Sequence, residues 1–142
     1  MLKRFFAVTF SGSVYEVGYT EPDGKVVAKK IAKRQGEKNP IEIGDSLEGG
    51  DRIAIVPVGL LAYHSETREI GSRSTAIVAL FLDVTTAMTC FNELDTQPLD
   101  KRWRQETEAA LDEIGESHPA FTVFAGKYSL RQPNKTSSPT TE

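Results

Sequence analysis

The chain has 142 residues, a net charge of −3, 39% hydrophobic residues and one cysteine, Cys90. That length and hydrophobic content suit a single globular domain whose core needs no metal or disulfide staple. A disulfide scaffold and a thiolate zinc site both need more cysteine, collagen-like and wholly disordered chains differ in composition, and no apolar run approaches the roughly 20 residues that span a bilayer.

Residues 4–10 are rich in Phe, Val and Thr and read as a first strand. They are too short an apolar stretch for an export signal, because Ser11, Gly12 and Glu16 soon follow. Tyr15, Val17 and Tyr19 alternate along residues 14–20, a second strand. Pro22 presets φ and Gly24 tolerates positive φ in the turn over 21–24, so residues 25–34 return as a third strand. A polar loop (35–40), a short strand (41–43) and a glycine-rich turn cluster (44–51) come next. Residues 52–63 are apolar and β-branched and read as one strand, with Pro57 marking an edge, a bend or a bulge.

Residues 64–75 form a polar loop or hairpin tip, and the continuous apolar run at 76–82 a buried strand. Asp83 or Thr85 caps a helix carrying Val84, Ala87, Met88 and Phe91 at helical spacing. The segment 95–98 interrupts it. A second helix has Trp103, Thr107, Ala110, Leu111 and Ile114 on one stripe, with Gly115 as its stop and Pro119 preventing continuation. Residues 120–124 form a last strand. The domain is expected over 1–130, with a disordered polar tail at 131–142. This order predicts an α+β fold: a mainly antiparallel sheet of about six strands with two helices near the C-terminus packed on one face.

The motifs of catalysis are missing from the sequence. There is no Walker loop, GxGxxG turn, HExxH helix or nucleophile elbow. Cys90 lies between Met88 and Phe91 on a helix expected to pack inward, which makes it a buried, inert thiol. Asp45, Glu48 and Asp51 do not match a calcium loop and read as turn formers. His118, before Pro119 at a helix end, reads as a cap. No catalytic residue, metal or cofactor is expected.

Charge is uneven: residues 1–40 carry +4 and residues 41–142 carry −7. On the third strand, pleating sends Lys25, Lys29 and Lys33 to one side and Lys30 and Arg34 to the other. These side chains either guard an exposed edge or, with Tyr15 and Tyr19 as stacking surfaces, bind nucleic acid.

The second helix opens with Lys101, Arg102 and Arg104 around Trp103 and ends with Asp112, Glu113 and Glu116, against the helix dipole. Such an opening suits an anion, with the indole available for stacking. Pro98 in the first turn, or plain pairs of Arg102 with Glu106 and Arg104 with Glu108, would account for the same pattern. Arg68, Ser72 and Arg73 form a second candidate anion loop.

Together these features predict a small non-catalytic binding or regulatory protein. Arg68, Ser72, Arg73, Lys101, Arg102 and Arg104 would hold an anionic, nucleotide-like ligand, with Trp103 nearby. The expected protein is cytoplasmic, off the membrane, and homo-oligomeric so as to cover an apolar sheet edge. The alternatives are nucleic-acid binding through the basic meander, and an adaptor or inhibitor of a host protein.

Overall fold

A computed structural model describes residues 4–20, 25–36, 41–56, 59–93, 101–114 and 121–123. The first three strands are β1 (Arg4–Thr9), β2 (Ser13–Thr20) and β3 (Lys25–Lys33), followed by β4 (Arg52–Val56), β5 (Gly59–Tyr63), β6 (Ile70–Arg73) and β7 (Ile77–Phe81). Helix α1 (Val84–Asn92), a 3-10 turn (Lys101–Trp103), helix α2 (Arg104–Ile114) and β8 (Phe121–Val123) complete the order. The fold is α+β and mainly antiparallel. The strands divide into two sheets of four, ordered β3-β2-β1-β7 and β6-β5-β4-β8, and β8 runs parallel to β4.

Three local expectations change. Residues 41–43 are not a strand; they open a loop whose later part, around Ser46, bridges to Lys29. The run 52–63 is two strands: β4 and β5 pair from Arg52↔Tyr63 to Val56↔Gly59. Pro57 lies outside the described residues. The polar stretch 64–75 is a hairpin whose returning arm is β6, paired with β5.

Alternation decides which side chains meet. Phe5 and Ala7 of β1 and Tyr15 and Val17 of β2 face one way, and gather with Ile53 and Ile55 of β4 and Leu60 and Ala62 of β5 in one buried cluster. The two sheets therefore face each other across this cluster. Phe6, Val8 and Val14 face the opposite way, onto Ala87 and Cys90 of α1. Each fully buried aliphatic or aromatic side chain contributes on the order of 1.5–3 kcal/mol.

Both edges of the first sheet are covered from within the chain. Helix α2 lies along β7, where Thr107 Oγ1 accepts the Leu80 amide at 3.1 Å, and places Ala110, Leu111 and Ile114 in the intersheet cluster. At the other edge, residues 41–51 run along β3 as a strap. The amides of Val26 and Lys30 donate to the Asp51 and Asp45 carbonyls, and those of Leu47 and Gly44 donate to Ala28 and Lys30, all within 3.0 Å. Both outer strands of the first sheet are thus flanked by other parts of the chain, while β6 and β8 are the outer strands of the second. No described helix is long and apolar enough to cross a membrane.

Candidate functional site

The basic strand is rearranged by a bulge. Ala32 pairs with Val14 but Lys30 pairs with Tyr15, leaving Ile31 as an extra residue in β3. One extra residue reverses the alternation beyond it. Lys33, opposite Ser13, thereby joins Lys30 on the inner side instead of Lys25 and Lys29 on the outer one. Lys30 is fully buried; its Nζ donates to the Ile41 carbonyl at 2.6 Å and lies 5.9 Å from the centre of the Tyr15 ring. Lys33 pairs with Glu42 at 2.9 Å. This contact, with help from Lys30, holds the Glu42 carboxyl below its ordinary value.

These two lysines fasten the strap; burial takes Lys30 away from a polyanion, and Lys33 is half-buried and paired with Glu42. Tyr15 is also completely buried and Tyr19 is packed against the core. Tyr15 therefore offers no face to a nucleic-acid base, while Tyr19 is partly buried. Lys25, Lys29 and Arg34 remain exposed.

The seven expected ligand residues fall in two places. Arg68, Ser72 and Arg73 belong to the β5–β6 hairpin in the second sheet, and Lys101, Arg102, Trp103 and Arg104 to the start of α2 against β7 in the first. At α2, Trp103 packs edge-on to Phe81 at 5.5 Å between ring centres. Arg104 pairs with Glu108 at 3.3 Å, the plain helical pair. Arg102 donates to the Glu93 carbonyl at 3.3 Å. Gly115, Glu116, His118, Pro119 and the tail 131–142 lie outside the described residues.

The hairpin half, by contrast, adjoins a hollow. Ser72 Oγ accepts the Glu48 amide at 2.7 Å, while the Ser72 amide and hydroxyl both donate to the Glu48 carbonyl. Asp51 N donates to the Tyr63 carbonyl at 3.1 Å. The strap is therefore tied to β3 on one side and to the hairpin on the other. Between them opens a cleft of about 550 Å³ lined by Lys25, Ser46, Glu48, Gly49, Gly50 and His64, among others. Its size is that of small-molecule sites.

Two glycines shape this wall. Gly49 has φ +101°, and a Cβ on it would collide with the Gly71 Cα. A Cβ on Gly50 would collide with the Tyr63 backbone. Only glycine lets the strap lie so close to the hairpin. Among the described residues, no acceptor is paired with the Gly49 or Gly50 amide.

A smaller cleft of about 140 Å³ lies on the hairpin tip, lined by Asp51, His64, Ser65, Glu66 and Thr67. His64 lines both hollows. Asp51 accepts the Ser65 amide and the Ser65 hydroxyl, each at 2.9 Å, and Arg52 at 3.2 Å. The Ser65 amide is the chief reason its carboxyl titrates below the ordinary aspartate value.

Gly49, Gly50 and His64 did not stand out as a site in the sequence, and Lys25 did so only within the basic strand considered for nucleic acid. The Gly49-Gly50 pair was the available signal, and it read as an ordinary turn. Asp45, Glu48 and Asp51 are spread along the strap. Among the described residues, no three His, Cys, Asp or Glu side chains gather as a metal site. A scan against protein-family models found no match, and searches of curated proteins and of solved structures found none either.

Proposed function

We propose that the protein is a small non-catalytic binding protein that takes an anionic small ligand in the cleft between the strap and the β5–β6 hairpin. The observation that carries this reading is the cleft wall itself: two consecutive glycine amides, unpaired among the described residues, in a hollow shared with the Lys25 ammonium. Backbone amides and a lysine are the donors that phosphate and carboxylate groups need. His64 adds a ring nitrogen as a further donor. Glu48 lines the same hollow, so the anion belongs at the Lys25 and Gly49-Gly50 end.

The reading retains the anionic ligand expected from the sequence and moves the site. Arg68, Ser72 and Arg73 build the hairpin beside it, and Arg104 and Arg102 are engaged with Glu108 and the Glu93 carbonyl respectively. Nucleic-acid binding has less support, since Lys30 and Tyr15 are buried. A cytoplasmic setting accords with a lone, buried cysteine.

Thermal-shift and calorimetric titration with inorganic phosphate, pyrophosphate and nucleoside monophosphates tests the reading. Binding is expected at millimolar concentration or below, weakened about tenfold or more by Lys25→Ala, the loss of one charge-assisted contact. Arg102→Ala and Arg104→Ala should leave it unchanged. No binding of any of these anions, or binding lost with Arg102→Ala and kept with Lys25→Ala, overturns it.

A further inference from the structure

The two hollows that share His64 differ in chemistry. The larger groups donors at one end, Lys25, the Gly49 and Gly50 amides and the imidazole, with the Glu48 carboxylate also in its lining. The smaller offers mainly acceptors. Asp51 has two carboxylate oxygens, each with lone pairs beyond those used by Ser65 and Arg52. Among the described residues, the Glu66 carboxylate is paired with no donor. Thr67 Oγ1 accepts the Glu69 amide at 3.2 Å and keeps its own proton to donate.

A ligand that fills both hollows is therefore bipartite. An anionic group is repelled from the Asp51 and Glu66 side and attracted to the Lys25 side. The part lying beyond His64 must donate hydrogen bonds to carboxylates and accept one from a threonine hydroxyl. Neutral hydroxyl groups do both. A cationic amine would donate to these carboxylates but offers no acceptor to the Thr67 hydroxyl. The smaller hollow has the volume of roughly four to five liquid waters, suited to a small hydroxylated ring. The tip is held in place, since His64 N donates to the Glu69 carbonyl at 3.0 Å and Arg68 N to the His64 carbonyl at 2.9 Å.

We propose that the ligand is a phosphorylated polyhydroxyl compound of the sugar-phosphate class. Its phosphate lies at Lys25, Gly49 and Gly50, its hydroxyls lie at Asp51, Glu66 and Thr67, and His64 stands between. The proposal rests on the anion-binding reading of the larger cleft and adds the second half of the ligand.

The test is calorimetry on the full chain with four probes: inorganic phosphate, ribose 5-phosphate, ribose and phosphoethanolamine. Ribose 5-phosphate should bind about tenfold or more tighter than phosphate, and phosphoethanolamine no tighter than phosphate. Glu66→Ala and Thr67→Val, at exposed positions where folding is not at stake, should remove the sugar's advantage and leave phosphate affinity unchanged. Lys25→Ala should weaken both. If phosphate binds and ribose 5-phosphate binds no tighter, or phosphoethanolamine matches the sugar phosphate, this inference falls while the anion-binding reading stands. If neither phosphate nor ribose 5-phosphate binds, both fall.

Discussion

Ser72 and Glu48, 24 residues apart, are joined by three hydrogen bonds of 2.7–2.8 Å that tie the strap to the edge of the second sheet. Two of the three use the Ser72 hydroxyl, which was expected to meet a ligand and instead holds a wall of the cleft. Ser72→Ala should destabilise the fold by about 1 kcal/mol, the usual net value of lost hydrogen bonds at a partly exposed site. It should also weaken anion binding by loosening Gly49 and Gly50. Denaturant melts paired with phosphate titration check both effects. Unchanged stability and affinity would show that the strap is held by other bonds.

Thr107 makes a comparable closure at the β7 edge of the first sheet. Its hydroxyl accepts the buried Leu80 amide, and the residue is 2% exposed. Thr107→Val keeps the shape and strands that amide, at a cost of about 1–3 kcal/mol. Thr107→Ser should lose less. Equal destabilisation by the two variants, measured by urea unfolding, would assign the effect to packing and not to the hydrogen bond.

Among the described residues, three carboxyls titrate below their ordinary values: Glu42 through Lys33, Asp51 through the Ser65 amide, and Asp83 through the Thr86 amide at the start of α1. A depressed folded pKa means that the unfolded chain takes up protons first as pH falls. The stability these contacts provide is therefore present above the ordinary carboxylate range, near pH 4, and is lost as pH drops through the lower folded values. The melting temperature should fall from about pH 5 downward, and Asp51→Asn should flatten that slope. A profile indifferent to pH in both proteins would contradict these contacts.

Cys90 is fully buried against Phe6, Val8 and Phe81, as its position between Met88 and Phe91 suggested. A thiol reagent should label it only as fast as the chain opens, and labelling should accelerate with denaturant in step with unfolding. Prompt labelling of the native protein would show that α1 lifts away from the first sheet.

Local signals in the sequence reached the structure well. The alternation of Tyr15, Val17 and Tyr19, the Asp83 cap and the helical stripe from Thr107 to Ile114 all depend on near neighbours. What escaped was set by distant pairing. The bulge at Ile31 has no composition of its own, yet it moves Lys33 to another face. Pairing of the strap with β3 leaves no period to read, because its residues alternate with turns. The cleft joins Lys25, Gly49 and His64 only because the strap is tied to both sheets. The reversed charges of α2 looked unusual for a helix, but Arg104 and Glu108 are an ordinary pair one turn apart.

The most direct measurement is an amide NMR titration of the full chain with ribose 5-phosphate. The account predicts saturable shifts concentrated at residues 46–50 and at His64, extending to Ser65, Glu66 and Thr67, with residues 102–104 unmoved. Shifts centred on Arg102, Trp103 and Arg104, or a spectrum unchanged at saturating ligand, would contradict it.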